Sequence, residues 1–218
     1  MKRSLAGVLT LAALVPLAVG CAMNKTAKGA IIGAGAGGAA GAVIGHATGS
    51  TVRGAIIGAA VGGAAGAIIG HQMDKQAQEL AYDLPGATVS RVGEGIAVTF
   101  PEGVLFGYDS DQLQPAARDN MRRFAASLQK YPNTRTLIVG HTDSDGSSAY
   151  NMDLSDRRAL SAASFIAAEG VDRTRITTAG RGEAEPIATN GTDAGRQQNR
   201  RVEVAIYAKD ATGSGSGN

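Results

Sequence analysis

The sequence predicts an α/β sandwich over residues 93–208, with helices on one face of a sheet and a glycine-rich helical hairpin ahead of it. Two observations carry this. Short apolar runs of strand type alternate with helix-type stripes through the C-terminal half, the pattern of a layered α/β domain. Glycine accounts for 31 of 218 residues and crowds into one N-terminal stretch, so two different kinds of sequence are joined in one chain.

The first element is an export signal, residues 1–20. Lys2 and Arg3 supply a basic start and Leu5 to Val19 is an uncharged apolar run, short and followed by small residues. The only cysteine, Cys21, stands directly after it and cannot form an internal disulfide. The stretch Leu17-Ala18-Val19-Gly20-Cys21 resembles a bacterial lipobox, although the leucine stands one place earlier than is usual. The resemblance implies cleavage before Cys21 and lipidation (palmitate among the acyl chains) within an N-terminal segment 21–28. Ala22 follows, which resembles outer-membrane sorting. Loss of Lys2 and Arg3 takes the 21 basic residues to 19, against 19 acidic ones. The mature chain is formally neutral, and nothing points to a nucleic-acid partner.

Residues 29–71 come next as two repeats. Lys28-Gly29-Ala30-Ile31-Ile32-Gly33 returns as Arg53-Gly54-Ala55-Ile56-Ile57-Gly58, and both copies end in Gly-His, at His46 and His71. Glycine recurs every fourth residue, from Gly29 to Gly45 and from Gly54 to Gly70. On a helix this makes a slowly drifting stripe that admits a second helix backbone to backbone. In water each interior glycine costs about 1 kcal/mol relative to alanine. Each uncharged copy would cover roughly 25 Å as a helix. The expectation is a helical hairpin in or on a membrane, turning at Thr48–Thr51 and offering a route to homo-oligomers; a flexible Gly/Ala spacer is the other reading. The stretch resembles the glycine-zipper segments of outer-membrane-associated lipoproteins.

Residues 72–92 are polar, with a short helical piece near Asp74–Tyr82 before Pro85-Gly86, and read as a linker. Within 93–208, Ile96–Phe100 reads as a strand. Pro115 suits the first turn of a helix whose stripe is Met121, Phe124, Ala125 and Leu128. Thr136–Val139 is a strand. Ser155 then reads as the cap of a helix with Leu160, Ala163, Ile166 and Ala167 inward and Gly170 at its end. Ile176–Ala179 and Val202–Tyr207 complete the strands. The Gly/Ser-rich tail 209–218 is expected to be disordered.

Three polar clusters stand out: Tyr108-Asp109-Ser110; Gly140-His141-Thr142-Asp143 through Tyr150-Asn151 to Ser155-Asp156-Arg157-Arg158; and Gly195 to Glu203 with Arg200 and Arg201. With Ser155 as cap, Arg158 falls in the first helical turn, where the dipole disfavours a cation. A cation there and a carboxylate on a loop at Asp143 suit either a ligand carrying both charges or an ion pair between the two. The residues Thr142-Asp143, Tyr150-Asn151, Leu154-Ser155-x-x-Arg158-Ala159, Gly180-Arg181-Gly182-Glu183, Pro186, Asn190, Gly195-Arg196 and Asn199-Arg200-Arg201-Val202 resemble the OmpA C-terminal domain. That family binds peptidoglycan, and the resemblance implies an α+β sandwich of the same type. It also implies that Asp143 takes the ammonium and Arg158 the carboxylate of meso-diaminopimelate in the stem peptide, Arg158 as a two-pronged fork. Asn151, Asp109 and Tyr108 are expected to line the same pocket. One of Arg200 and Arg201 is expected to brace it, Arg200 being the choice, with the other solvated.

Catalytic and metal readings find little support. His141 and Asp143 lack a serine in a nucleophile elbow. The three histidines are scattered, and Asp143-x-Asp145-Gly146 departs from a calcium loop at its sixth and twelfth positions. His141 reads as a packed supporting residue, and no catalytic residue, metal or cofactor is expected. The expected function is a non-catalytic lipoprotein on the periplasmic face of the cell outer membrane, lipid-anchored and tied to the wall. The alternative is an envelope assembly or stress-response module whose zipper recruits membrane partners. A motor-stator subunit would need an uncleaved span with an ionisable residue, which residues 4–20 lack.

Overall fold

A computed structural model describes residues 50–62, 67–107 and 109–209. Cys21, Tyr108, the first zipper copy and the tail beyond residue 209 lie outside the described residues. The elements in chain order are α1 (Thr51–Gly62), α2 (Ala67–Asp83), β1 (Thr88–Val92), β2 (Gly95–Pro101), α3 (Glu102–Leu105), α4 (Pro115–Lys130), β3 (Thr134–His141), α5 (Ser148–Ala168), β4 (Ile176–Gly180), α6 (Asp193–Asn199) and β5 (Arg201–Ala208).

The five strands form one sheet in the order β1-β2-β5-β3-β4. All neighbours are antiparallel except β3 and β4, whose parallel pairing is bridged by α5 as a crossover helix. Alternation of side chains sends Ile96, Val98, Phe100, Ile138, Val202, Val204 and Ile206 to one face, where α2, α4 and α5 close the main core. From α4 come Met121, Phe124, Ala125 and Leu128, and Phe124 meets Phe100 edge-on at 6.0 Å between ring centres. Each such side chain, fully buried, contributes roughly 1.5–3 kcal/mol.

The opposite face is covered as well, contrary to the expectation of helices on one face alone. Val52, Ala55, Ile56 and Ala59 of α1 recur at helical spacing and pack on Leu137, Val139, Ala179, Ala205 and Tyr207. This part of the second zipper copy therefore buries its apolar stripe on protein. The physical reason is that small residues admit a sheet as readily as a helix. Gly95 has room for no side chain, because a Cβ there would lie 2.6 Å from the Ile206 carbonyl and 2.6 Å from Ile56. Among the described residues, no helix is long and apolar enough to cross a membrane.

Three further expectations are corrected. The stretch 72–92 is not a plain linker, since α2 runs through it to Asp83 and β1 forms an edge of the sheet. Met73, Ala77 and Leu80 of α2 are buried in the core, which the polar residues between them mask in the sequence. Ser155 does not cap a helix. α5 starts seven residues earlier, with Ser147 as cap accepting from the Tyr150 amide at 3.2 Å. Ser155 sits mid-helix, where its hydroxyl accepts from the Gly182 amide at 2.9 Å. The shifted phase turns Leu160 outward, 50% exposed, while Ala159, Ala162, Ala163 and Ile166 face the core.

Candidate functional site

Sheet register gathers the site at one end of three adjacent strands. Arg201 of β5 is level with Pro101 of β2 and with His141 of β3. The next residues outward are therefore Glu102, Arg200 and Thr142, with Asp143 one step beyond. The Glu102 amide donates to the Arg200 carbonyl at 2.9 Å, which fixes the first two relative to each other. Arg158 arrives from α5, whose backbone lies against β3 because Gly140 carries no Cβ; one there would collide with the Ser155 carbonyl.

Their side chains form an alternating charge chain. Arg158 pairs with Glu102 Oε1, Glu102 Oε2 lies 2.7 Å from Arg200 Nε, and Arg200 Nη1 donates to Asp143 Oδ2 at 2.5 Å. Arg158, Glu102 and Asp143 are 2%, 8% and 5% exposed, whereas the Arg200 side chain is 26% exposed. Burial alone would lower the pKa of Arg200, but Asp143 and Glu102 outweigh it and hold the guanidinium above its ordinary value. The Arg158 guanidinium also donates from Nε to the Ser110 carbonyl at 2.9 Å and lies over the Phe106 ring at 5.6 Å. Among the described residues its Nη1 has no hydrogen-bond partner. Asp143 Oδ1 accepts from the Asp145 amide at 3.0 Å.

Arg158 lies in the third turn of α5 and not in its first, so the helix dipole does not act against its charge. Nor do Asp143 and Arg158 pair directly; each has its own opposite charge. Asn151 is within the cluster, donating to the Asp143 carbonyl at 3.3 Å and to Glu183 at 2.9 Å. Asp109 stands at the rim in the left-handed region, φ 55°, and accepts from the Tyr150 hydroxyl, which pushes that phenol's pKa up. Of Arg200 and Arg201, Arg200 joins the cluster. Arg201 is buried rather than solvated, bound to Glu203 at 2.9 Å and to the Glu185 carbonyl at 3.0 Å. His141 is also buried, beside Glu203.

Glu102 was not legible. It is 56 residues from Arg158 in the chain, and the one signal for it is a lone charge inside Phe100-Pro101-Glu102-Gly103-Val104-Leu105-Phe106. Among the described residues, no group of three His, Cys, Asp or Glu is placed to hold a metal ion.

The OmpA family model matches residues 105–200. The C-terminal domain belongs to the OmpA family. A second family model, the YMGG-like Gly-zipper, matches residues 1–74. Among curated relatives, "Probable lipoprotein YiaD" of Escherichia coli is 43% identical over 121 residues, covering 56% of this chain and 55% of that protein. "Peptidoglycan-binding protein ArfA" of Mycobacterium tuberculosis is 41% identical over 103 residues, 47% of this chain and 32% of that one. The chain thus spans about half or less of the curated relatives' length. Among solved structures, the cell wall anchor of the T6SS from Pseudomonas aeruginosa is 31% identical with a TM-score of 0.56, covering 62% of this chain and 97% of that one.

Proposed function

We propose that the OmpA-family domain binds peptidoglycan non-covalently through the diaminopimelate of the stem peptide and, with Cys21 lipidated, tethers the outer membrane to the wall. The observation that carries this reading is the buried charge chain, in which Asp143 and Arg158 stand at opposite ends of a cluster with no net charge. A zwitterionic amino-acid centre has the complementary pattern: its ammonium goes to Asp143 and its carboxylate to the guanidiniums. The relatives named for cell-wall anchoring and for peptidoglycan binding support the choice of ligand. The two-pronged fork expected of Arg158 is revised. Its Nε and Nη2 are already engaged, so the carboxylate is shared between Arg158 Nη1 and the more exposed Arg200.

Sedimentation with isolated sacculi tests the site. Asp143→Ala leaves Arg200 on Glu102, and Arg158→Ala leaves Glu102 on Arg200, so neither variant strands a buried charge and both fold. Asp143→Ala leaves the ligand's ammonium unpaired and Arg158→Ala leaves its carboxylate on Arg200 alone, each a loss of about 2–5 kcal/mol, enough to abolish co-sedimentation. Arg158→Lys is expected to bind poorly too, because an ammonium cannot hold the Ser110 carbonyl, Glu102 and a ligand in one plane. Unchanged sedimentation of both alanine variants overturns the assignment.

A further inference from the structure

We propose that Glu102 is the specificity-determining positioning residue of this site, bridging two guanidiniums so that the cluster accepts a zwitterion and rejects a simple anion. The inference rests on the peptidoglycan reading above and adds to it a residue that touches neither Asp143 nor the expected ammonium.

Glu102 is a nearly buried carboxylate with one oxygen on Arg158 and the other 2.7 Å from Arg200. Its place does not depend on those side chains. Its amide is tied to the Arg200 carbonyl at 2.9 Å, and its carbonyl accepts from the Phe106 amide at 2.8 Å, closing the single turn of α3. A carboxylate held this firmly fixes both guanidiniums in a set geometry before any ligand arrives.

It also sets the charge. Arg158 and Arg200 contribute two positive charges, Glu102 and Asp143 two negative ones. A dicarboxylate entering this neutral cluster loses its hydration and meets Asp143 unpaired, whereas an ammonium beside the carboxylate satisfies Asp143. Without Glu102 the cluster carries a net positive charge and two guanidiniums facing one carboxylate, a surrounding that favours anions in general.

Calorimetric titration of the full chain in detergent tests this with two seven-carbon probes. These are meso-diaminopimelate and pimelate, which has the same two carboxylates and no amines. The wild type is expected to prefer diaminopimelate by about tenfold or more. In Glu102→Gln the affinity for diaminopimelate falls by about tenfold and that for pimelate rises, so the preference disappears. Glu102→Asp keeps the charge but cannot reach both arginines. It is expected to lose affinity for diaminopimelate while still rejecting pimelate, a separation that general damage to the fold would not produce. Glu102→Gln combined with Arg200→Gln restores neutrality and is expected to reject pimelate again. A Glu102→Gln protein with wild-type affinity and preference overturns the role of Glu102 and leaves the peptidoglycan reading intact. A wild type that binds neither diaminopimelate nor sacculi overturns both.

Discussion

His141 is buried on the face of the sheet that α1 covers, and among the described residues neither ring nitrogen has a hydrogen-bond partner. Glu203 is the nearest carboxylate, at 3.7 Å, with Arg201 and Glu185 close by. Burial pushes the imidazole's pKa below its ordinary 6.5. Burial would raise Glu203, but His141 and Arg201 outweigh it and bring that carboxyl down to about 2. As the pH drops below about 6.5, the unfolded chain takes up a proton that folded His141 refuses, so stability is lost from there downward. Glu203 adds a second loss between its unfolded 4.5 and its folded value of about 2. The melting temperature is therefore expected to fall on acidification in two stages. In His141→Gln the slope between pH 6.5 and 4.5 should flatten, while the loss below 4.5 should shrink but persist because Arg201 still holds Glu203, as scanning calorimetry would show. Equal slopes in both proteins would exclude His141 as the cause. Asp143, Arg158, Asn151 and Arg200 were legible because they stand in a recognisable pattern, whereas Glu102 is brought in by sheet register that no local signal encodes.

At the scale of elements, the strongly patterned ones were legible: β2, α4, β3, β4 and β5 lie within about two residues of expectation. Those missed share a physical cause. β1 is an edge strand with no fully buried residue, so its sequence lacks the apolar alternation of a core strand. The start of α5 was hidden because Ser155 imitates a cap while Ser147, the real one, precedes exposed residues. α1 was legible as a helix, but a glycine stripe does not say what it packs on. The helix sits with its first turn on Glu185, which accepts from the Thr51 amide at 3.0 Å and from the Thr51 hydroxyl at 2.5 Å, a carboxylate at the positive end of the dipole. Arg181 closes the group, 2.7 Å from the same hydroxyl. Ile56→Ala is expected to cost about 2–4 kcal/mol in urea unfolding, since Ile56 is buried against the sheet. Ile56→Asp should release α1 altogether. Hydrogen exchange should then accelerate at residues 54–59 while α5 stays protected. Unaltered protection of α1 in the aspartate variant would show that the helix does not depend on the sheet.

For the whole molecule, α1 docked on the domain bears on the proposed tether, because it changes which part of the chain would join lipid to wall. The expected two-helix membrane hairpin would have taken residues 29–71 out of reach of the sheet, but Thr51 is fixed on Glu185 in a buried contact with the domain. With the proposed anchor at Cys21, the connection would be residues 22–50, whose contour cannot exceed about 100 Å even fully extended. A tether also needs both ends at once, which separates it from a wall-binding module free in the periplasm or a lipoprotein that only recruits partners. Three variants distinguish these cases. Cys21→Ser is expected to leave outer-membrane fractions while still sedimenting with sacculi. Asp143→Ala should do the reverse, staying with the membrane and losing the wall. Deleting residues 24–46 should leave lipidation and wall binding each intact when assayed separately, yet weaken the link between outer membrane and sacculus in intact cells, because the shortened connection no longer spans the gap. That link can be read from membrane blebbing and from co-purification of membrane with sacculi after mild lysis. If the deletion leaves both unchanged, residues 22–50 do not set the span. If Cys21→Ser stays in the membrane fraction, the anchor lies elsewhere in the chain and the tether loses its lipid end.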